Sequence, residues 1–308
     1  MVTISIVMWN SRDSIADCVQ SLLDQKFQDF EILISDNNST DDSYKVIESF
    51  NDSRITLFKL TSNTGFCGGH NNNIRKAKGD FVLLVNPDVI MTLDYLDNVL
   101  SVFSIDSKIG TVCGLLLQDA ATNIIDSAGM IFKNNFRYKL RYYNDLISTK
   151  NLKIEEVDGA DGALPIYRRE MIRDISIDNS FFDERFFAHK EDWDISWRSK
   201  NYGWKTYFTP HAIAYHPRYF KPKKLKLRSQ IPAFIKYHAI KNQFLLVMNN
   251  YFLPKDLMKL FHFFLREIFV FSYLLCFERT SLKAYGYILK NWKTILGIRK
   301  KIISRIKR

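Results

Sequence analysis

The first half of the chain alternates between short apolar runs and amphipathic segments, and this alternation limits the fold more than any other feature. The apolar runs predict strands at residues 4–8, 30–35, 54–60, 80–85 and 109–117. The segments between them have helical periodicity, at residues 14–25, 41–50, 70–78 and 93–104. Near-continuous apolar strands separated by amphipathic helices predict an α/β fold, with a mostly parallel sheet covered by helices on both faces.

Polar side chains follow three of the predicted strands at the point where each strand ends. They are Trp9 and Asn10 after the first strand, Asp36 and Asn38 after the second, and Asn86 and Asp88 after the fourth. Each segment alone is also good turn or helix-cap chemistry. Because ligands of parallel sheets bind outside the carboxyl ends of the strands, three such segments at one edge predict a binding site.

A glycine-rich segment at residues 63–74 leads into the third predicted helix. Its candidate binding residues are Asn63, Gly65, Gly68, Gly69 and Asn71. Glycines at a helix entrance let the backbone approach a phosphate closely, so we expect this segment to face a phosphate group. The spacing matches neither the dinucleotide-binding fingerprint nor a P-loop, and a tight loop without a ligand role is the alternative.

Three carboxylates, Glu191, Asp192 and Asp194, lie within four residues at the start of a predicted helix, directly after an aromatic run. Apolar neighbours raise the pKa of a carboxylate and cations lower it, and catalytic carboxylates occur in such mixed settings. The alternative is a helix N-terminus whose acids suit the helix dipole. The second acidic position at Asp88 favours the catalytic interpretation.

Two further features lie on either side of these acids. His216 ends a short apolar strand, from which its side chain can reach the same sheet edge as Asp88. It is either a metal ligand or a hydrogen-bonded structural histidine. The basic aromatic segment 136–143 lies in an irregular region and predicts a flexible loop beside the site or, preferably, a solvated hairpin.

The charge of the chain is divided unevenly. Residues 217–308 carry 21 Lys/Arg against 3 Asp/Glu, whereas the net charge of the whole chain is +11, so the first 216 residues have a net charge of −7. Basic segments bind phospholipid or nucleic acid. Residues 255–277 are strongly apolar, but their longest uninterrupted run, 268–277, is shorter than the roughly 20 residues that a membrane span needs.

These residues and the basic amphipathic end of the chain predict helices that lie in the interface of an anionic membrane. The alternatives are an oligomer interface or a helical cap on the core. The four cysteines are scattered along the chain, which favours a reducing compartment over a disulfide framework or a zinc cluster. The N-terminal apolar run is short and lacks a basic lead, so it predicts a buried first strand and not a signal peptide.

Seven motifs occur in an order and spacing that resemble the bacterial rhamnosyltransferase-like branch of glycosyltransferase family 2. They lie at residues 4–10, 35–42, 63–71, 86–89, 158–160, 182–187 and 191–198. The resemblance covers residues 2–220. It implies a glycosyltransferase-A fold for a catalytic domain at residues 1–220, followed by a helical membrane-associating region at residues 221–308. It also implies inverting transfer of a sugar from a nucleotide-activated donor.

The resemblance implies roles for individual residues. Asp36 is similar to the acid that reads the base or ribose, and Asp88 to the metal-binding acid of the family's Asp-x-Asp motif. His216 is similar in place to a histidine that some members add to the metal, which is Mg²⁺ or Mn²⁺. Asp192 resembles the catalytic base, with Glu191 beside it and Asp194 as second choice. The further nucleotide-sugar-binding residues that we expect are Trp9, Asn10, Asn38, Asn63, Gly65, Gly68, Gly69, Asn71, Asn86 and Arg198.

The chain departs from the family pattern in two places. The first acid of Asp-x-Asp is replaced by Asn86, so fewer anionic ligands face the metal. The Gln-x-x-Arg-Trp signature of processive polymer synthases is missing, which favours single additions.

The sequence therefore predicts a cytoplasmic enzyme, peripheral on the inner face of the plasma membrane. It is expected to add one sugar, with L-rhamnose from dTDP-rhamnose as a candidate, to a polyprenyl-diphosphate-linked glycan. Nucleic acid is not an expected partner, and an oligomer is compatible with the sequence. Two alternatives remain: a nucleic-acid-binding α/β protein with a basic tail, and a non-catalytic membrane-bound scaffold of the same fold.

Overall fold

The computed structural model of the protein describes residues 1–133, 135–217, 231–251 and 257–306. The strands in these residues are β1 (Val2–Met8), β2 (Phe30–Asp36), β3 (Ile55–Lys59), β4 (Phe81–Val85), β5 (Ile90–Met91), β6 (Ile109–Leu117), β7 (Ile125–Ser127), β8 (Met130–Lys133), β9 (Arg137–Leu140), β10 (Glu155–Val157), β11 (Pro165–Arg168) and β12 (Lys205–Tyr215). The α-helices are α1 (Ile15–Leu23), α2 (Ser43–Glu48), α3 (Gly65–Lys76), α4 (Tyr95–Val102), α5 (Arg169–Ile175), α6 (Glu191–Asn201), α7 (Ala233–Asn250), α8 (Leu257–Phe277), α9 (Lys283–Lys290) and α10 (Trp292–Arg305).

The main sheet has the strand order β10-β12-β6-β11-β4-β1-β2-β3. Strand β1 pairs in parallel with β2 and β4, β2 pairs in parallel with β3, and β6 pairs in parallel with β12. Strand β11 runs antiparallel between β4 and β6. The predicted α/β class with a mostly parallel sheet is confirmed. The antiparallel insertion was not predicted, because an apolar pattern does not encode strand direction.

Both faces of the sheet are covered, as the near-continuous apolar strands predict. Along β4, Leu83 and Val85 face one hydrophobic core, which helices α1, α2 and α4 complete. Val82 and Leu84 face the other core, which is completed by α3, α5, α6 and α7. This alternation follows from the two-residue period of a strand. It leaves the polar carboxyl ends of the strands as the open edge of the sheet.

Helix α3 begins at Gly65, five residues earlier than the periodicity predicts, so the glycines lie inside the helix and not in a loop before it. A Cβ atom at Gly69 would lie 2.6 Å from Val7 Cγ1 of β1, so only glycine lets the helix approach the sheet this closely. Asn73 fixes the contact, because its Nδ2 donates hydrogen bonds to the carbonyl oxygens of Ile6 and Leu33, both at 2.9 Å.

Strands β8 and β9 form a hairpin, as expected for the basic aromatic segment. Its basic residues Arg137 and Lys139 are exposed, but Phe136 and Tyr138 are buried, so only one face of the hairpin is solvated. Phe136 is only 1% exposed. Its ring stacks on Trp197 of α6, with centroids 5.5 Å apart, and meets the edge of Phe263 of α8 at 6.0 Å. Phe136 therefore packs between α6 and the C-terminal helices.

The C-terminal helices share a hydrophobic core with the first part of the chain: Leu245, Phe263 and Ile295 belong to the same cluster as Trp197. The expected boundary between residues 220 and 221 lies outside the described residues, and so do residues 255 and 256 of the apolar stretch. Helix α8 has 21 residues and contains an 18-residue window with a mean hydropathy of 1.7. By length and composition it could cross a membrane, so the short uninterrupted apolar run does not exclude a span.

Candidate functional site

Asp88 and His216 meet at the open edge of the sheet, as their positions after β4 and β12 predict. The Nε2 atom of His216 lies 3.4 Å from Oδ1 of Asp88. On the other side of the ring, Nδ1 lies 2.9 Å from Oδ2 of Asp126. Asp126 is fully buried in β7. It was missed in the sequence because it lies 90 residues from His216, in a region whose pattern looks irregular.

The two carboxylates set the protonation of the histidine. Burial alone would lower the pKa of His216, but its hydrogen bonds with Asp126 and Asp88 outweigh burial and raise the pKa to about 9. A metal-binding histidine usually donates the N–H of its other ring nitrogen to a carboxylate, which fixes the orientation of the ring. Asp126 is placed to do this for His216.

The donor atoms at this place fit a divalent cation. Asp88 offers a carboxylate oxygen and His216 a ring nitrogen, and Asp126 fixes the ring orientation. No group of three or more His, Cys, Asp or Glu side chains suited to a metal occurs among the described residues. Mg²⁺ is commonly held by only one or two protein carboxylates together with substrate phosphates, so two protein ligands are compatible with such a site.

Asp36 ends β2 at the same edge and is fully buried. Its Oδ1 accepts a hydrogen bond from the backbone N–H of Ser39 at 3.1 Å. Its Oδ2 is buried and has no hydrogen-bond partner in the protein. A buried acceptor without a partner is costly, so this oxygen is available to a donor group of a ligand.

The two loops beside Asp36 present different kinds of surface. Trp9 is 55% exposed. Asn10 braces the first loop against the second, because its Oδ1 accepts the backbone N–H of Thr40 at 2.8 Å. Asn38 has a positive φ of 63° and is exposed. Trp9 and Asn38 are accessible to a ligand, and the nucleotide-sugar contacts of all three residues stay predictions.

Asn37 organises the glycine segment and was missed in the sequence. Its Nδ2 donates to Oδ1 of Asn63 at 3.0 Å, and its Oδ1 accepts the backbone N–H of Thr64 at 2.8 Å. Asn63 in turn accepts the backbone N–H of Gly65 at 2.9 Å. The amide of Asn63 thus shapes the start of α3. The sequence signal that could have identified Asn37 is its place in the run of polar residues after β2.

The remaining glycines of this segment are explained by packing within the protein. Gly65 has a φ of 73°, and a Cβ atom there would lie 2.4 Å from the carbonyl oxygen of Phe187. A Cβ atom at Gly68 would lie 2.6 Å from the Thr64 Cβ. Each glycine therefore permits a close contact with protein atoms, and direct binding of phosphate by these residues stays a prediction.

The second half of the site is the start of α6. Asp192 Oδ2 accepts the backbone N–H of Gly162 at 3.3 Å, and its Oδ1 accepts the backbone N–H of Trp193 at 2.8 Å. The neighbouring Ala163 accepts the backbone N–H of Asn86 at 2.9 Å. The short segment at residues 161–163 therefore joins the Asp192 half of the site to the Asp88 half.

Asp161 in this joining segment was missed as a site residue, although the motif around it was recognised. Its negative charge raises the pKa values of both His216 and Glu191, so it lies between the two halves of the site. Its Oδ1 accepts the backbone N–H of Ala163 at 2.9 Å and so holds the segment in its turn.

Glu191 and Asp192 are neighbours with different surroundings. Glu191 is buried and its Oε2 has no hydrogen-bond partner. Burial, followed by the negative charges of Asp192 and Asp161, raises the pKa of Glu191 well above its usual range. Glu191 is therefore the harder of the two to ionise, and Asp192 is the better candidate for an anionic base.

The structure contradicts the expected roles of Asp194, Arg198 and Asn71. Arg198 is fully buried and pairs with Asp194 at 2.9 Å, and it also donates to the carbonyl oxygen of Phe181 at 2.9 Å. Neither side chain can reach a substrate. Asn71 is buried and exchanges hydrogen bonds with the backbone of Phe182, at 2.9 Å in both directions. These residues are structural, because every one of them faces the protein interior.

The chain approaches α6 through an unusual turn. Phe187, His189 and Lys190 all have positive φ, between 65° and 71°. Asn242 of α7 holds this turn, because its Nδ2 donates to the carbonyl oxygens of Ala188 at 2.8 Å and His189 at 2.6 Å. Backbone in such sparsely populated conformations is kept only where its surroundings impose it, often at functional sites. A C-terminal helix thus positions the start of α6.

Known proteins share both the sequence and the fold of this chain. The family model described as glycosyl transferase family 2 matches residues 3–176. The Escherichia coli protein UDP-Glc:alpha-D-GlcNAc-diphosphoundecaprenol beta-1,3-glucosyltransferase WfaP is 27% identical over 174 residues, which are 53% of this chain and 68% of that protein. A second E. coli protein of the same described activity, WfgD, is 30% identical over 102 residues, which are 33% of this chain and 40% of that protein.

Among solved structures, the mannosyltransferase PcManGT from Pyrobaculum calidifontis, in complex with GDP-Man and Mn²⁺, matches with a TM-score of 0.57 at 14% identity. The match covers 99% of this chain and 85% of that chain, and it supports the glycosyltransferase-A fold. Neither E. coli relative is described as a rhamnosyltransferase, so the family is supported and the rhamnosyltransferase-like branch is not. Because the family model matches more than half of the 308 residues, this chain belongs to glycosyl transferase family 2, and it is an inverting glycosyltransferase that moves a sugar from a nucleotide-sugar to a glycan or lipid-linked acceptor.

Proposed function

We propose that this enzyme adds a single hexose to a sugar carried on polyprenyl diphosphate, at the cytoplasmic face of the membrane. The observation that carries the proposal is the two-part site. The pair Asp88–His216 and the base candidate Asp192 are joined by the segment at residues 161–163. One half suits a diphosphate leaving group and the other suits a hydroxyl that must lose a proton.

On the donor side, Asp36 offers its free Oδ2 to a hydroxyl or N–H group of the nucleoside. Asp88 and His216 would hold a divalent cation, Mg²⁺ or Mn²⁺, whose charge offsets the negative charge that develops on the diphosphate. His216 must give up its Nε2 proton to act as a ligand, and Asp126 keeps the ring oriented while it does so.

On the acceptor side, Asp192 takes the proton of the acceptor hydroxyl. The hydroxyl oxygen forms a bond to the anomeric carbon from the face opposite the diphosphate, while the bond from that carbon to the diphosphate oxygen breaks. The backbone N–H groups of Gly162 and Trp193 hold the carboxylate in position. Such general base catalysis contributes about 10²- to 10⁴-fold to a rate.

The donor and the acceptor follow from two different arguments. The E. coli relatives are described as using UDP-Glc and an α-D-GlcNAc-diphosphoundecaprenol acceptor, which makes UDP-glucose and that lipid our first candidates. The motif resemblance makes dTDP-L-rhamnose the second donor candidate. The missing processive signature favours one addition per acceptor.

A radiolabelled transfer assay tests this proposal. The purified chain is incubated with UDP-glucose or dTDP-L-rhamnose and a GlcNAc-diphospho-lipid, with Mn²⁺ or with a chelator. We expect one sugar per acceptor from one of these donors, and loss of transfer with the chelator. Full activity in the chelator would contradict the metal site at Asp88 and His216, and a ladder of products would contradict single addition.

The membrane part of the proposal depends on helix α8. Its outward face is apolar and exposed, including Phe261 at 60% and Ile268 at 63%. At the corner of α9 and α10, Leu289 and Trp292 are exposed next to Lys290 and Lys293. Exposed apolar side chains beside lysines suit the interface of an anionic bilayer. We infer that these helices hold the active site close to its lipid-linked acceptor.

Flotation with vesicles tests this inference. We expect the wild type to float with vesicles that contain phosphatidylglycerol, and the double variant Phe261→Gln, Ile268→Gln to float at least about tenfold less, because each change removes apolar burial. The change Ile105→Gln is the matched control, since Ile105 is 55% exposed and lies outside the C-terminal helices. Unchanged flotation of the double variant, together with a smaller oligomer in solution, would favour an oligomer interface instead.

A further inference from the structure

A cavity of about 390 Å³, lined by both charged and apolar side chains, lies beside the start of α6. It is bounded by the β9 strand of the hairpin, by α7 and by α8. The charged side chains that line it are Arg137, Lys190, Arg266 and Glu267. The donor-side residues of the site do not line this cavity.

The cations of this cavity are not fully neutralised. The Nζ atom of Lys190 donates to the carbonyl oxygen of Ala239 and to Oε1 of Gln243, both at 2.8 Å, and both acceptors are neutral. Arg266 pairs with Glu267. Arg137 has no carboxylate within ion-pair distance among the described residues, and the negative charge of Glu267 acts on it from further away. When Lys190 is protonated, three cations and one carboxylate give the cavity a net charge of +2.

The pKa of Lys190 reflects the excess of positive charge in the cavity. Burial lowers the pKa of Lys190, the positive charges of Arg137 and Arg266 lower it further, and the result is a pKa of about 7. An anion in the cavity would therefore stabilise the charged form of the lysine. Two arginines offer the planar forks that bind phosphate groups well.

The cavity lies between the exposed apolar face of α8 and the start of α6. Phe269 of α8 lines it and is 68% exposed, so one side of the cavity opens onto the apolar face that we assign to the membrane. On the opposite side, Lys190 is only two residues from Asp192, so their α-carbons are at most about 7 Å apart.

We propose that this cavity binds the diphosphate of the acceptor lipid. This inference rests on the proposed function. A diphosphate esterified at both ends carries two negative charges, which match the net charge of the cavity. Its lipid tail would leave along α8 and its sugar would point towards Asp192. The reacting hydroxyl is then on the sugar bonded directly to the diphosphate, because the base and the cavity are this close in the chain.

Acceptor kinetics in detergent, without a bilayer, test the proposal. The acceptors are a short-chain GlcNAc-diphospho-citronellol and the neutral octyl α-GlcNAc glycoside. For Arg137→Gln we expect the KM for the diphosphate acceptor to rise at least about tenfold, since a hydrogen bond to a charged group is lost, while its KM for the glycoside and for the donor stays the same. Arg266→Gln should act in the same way.

Lys139→Gln is the matched control, because Lys139 is exposed on the same strand, two residues further on, and does not line the cavity. It should leave both KM values unchanged. An equal loss with both acceptors, or no change of KM for the diphosphate acceptor with Arg137→Gln, would overturn the proposal. A bilayer headgroup as the true ligand would show as an Arg137 effect that appears only when vesicles are added, which also overturns it.

A direct binding measurement separates this proposal from the proposed function. Citronellyl diphosphate is titrated into the full chain while the tryptophan fluorescence is followed, since Lys190 lies 5.4 Å from the centre of the Trp193 ring. Saturable binding that Arg137→Gln weakens about tenfold supports the cavity even if no acceptor is glycosylated, in which case the proposed function fails alone. Absence of saturable binding overturns the cavity, whatever the transfer assay shows.

Discussion

Two adjacent carboxylates at the start of α6 differ because of what surrounds them. Glu191 is buried and its Oε2 has no hydrogen-bond partner, whereas Asp192 is partly exposed and accepts hydrogen bonds from two backbone N–H groups. The motif resemblance ranked Asp192 first and Asp194 second among these acids, but their spacing alone does not reveal which of them is buried. The buried pair of Asp194 with Arg198 excludes the third acid.

The raised pKa of Glu191 leads to a prediction about stability. A carboxyl whose pKa is raised in the folded state contributes stability that is fully present below its ordinary pKa of 4.5 and is lost as the pH rises through the raised value. Glu191→Gln removes this loss. We therefore expect the variant to be more stable than wild type towards urea at pH 8, and to differ little at pH 4.

The same variant should keep transfer activity within about tenfold of wild type, because an amide of similar size replaces the carboxyl while Asp192, the proposed base, is unchanged. Loss of activity as large as that of Asp192→Asn would contradict the assignment and make Glu191 the base. Equal stability of wild type and variant at both pH values would show that Glu191 is ionised in the folded protein.

Residues recognised from their place after a strand were predicted most successfully. The position of Asp88 and His216 at one edge followed from the strand pattern, and the structure brings them to 3.4 Å. Asp126 and Asn242 could not be found in this way, because their contacts join segments far apart in the chain and have no local signature. The buried Asn71 and Arg198 were assigned wrongly, since a motif shows which residues recur together and not which way their side chains point.

At the scale of elements, helix α3 supports the turn that leads to α6. Gly65 contacts Phe187 so closely that a Cβ atom would lie 2.4 Å from its carbonyl oxygen. The backbone N–H of Cys67 also donates to that oxygen at 3.0 Å. The sequence predicted the helix but placed its start too late, because glycines weaken the helical pattern and the packing partner of Gly65, Phe187, is more than a hundred residues away.

The contact between α3 and Phe187 can be tested with two glycines. Gly65→Ala should destabilise the protein by about 1–3 kcal/mol more than Gly203→Ala, because it adds overpacking to the cost of a positive φ. Gly203 has a φ of 84° and no atom within 4 Å of its Cβ position, so it carries only the conformational cost. Urea unfolding measures both. We also expect Gly65→Ala alone to reduce transfer, and equal losses of stability would contradict the packing argument.

At the scale of the whole molecule, the C-terminal helices serve the active site as well as the membrane. Asn242 of α7 holds the turn before α6, and α8 contributes both an exposed apolar face and two charged side chains that line the cavity, Arg266 and Glu267. The sequence predicted the fold class and the basic helical region correctly. It could not predict that these helices share a core with the catalytic part, because packing between distant segments leaves no trace in periodicity.

The central claim is that one site binds the nucleotide through one half and removes the acceptor proton through Asp192 in the other. Its most direct test measures UDP binding in Mn²⁺ by calorimetry and sugar transfer in the same preparations of wild type and Asp192→Asn. We predict UDP binding within about threefold of wild type, because Asp192 lies in the acceptor half, and a loss of transfer of at least about 10²-fold, because the base is gone. Transfer within a few-fold of wild type would contradict the account.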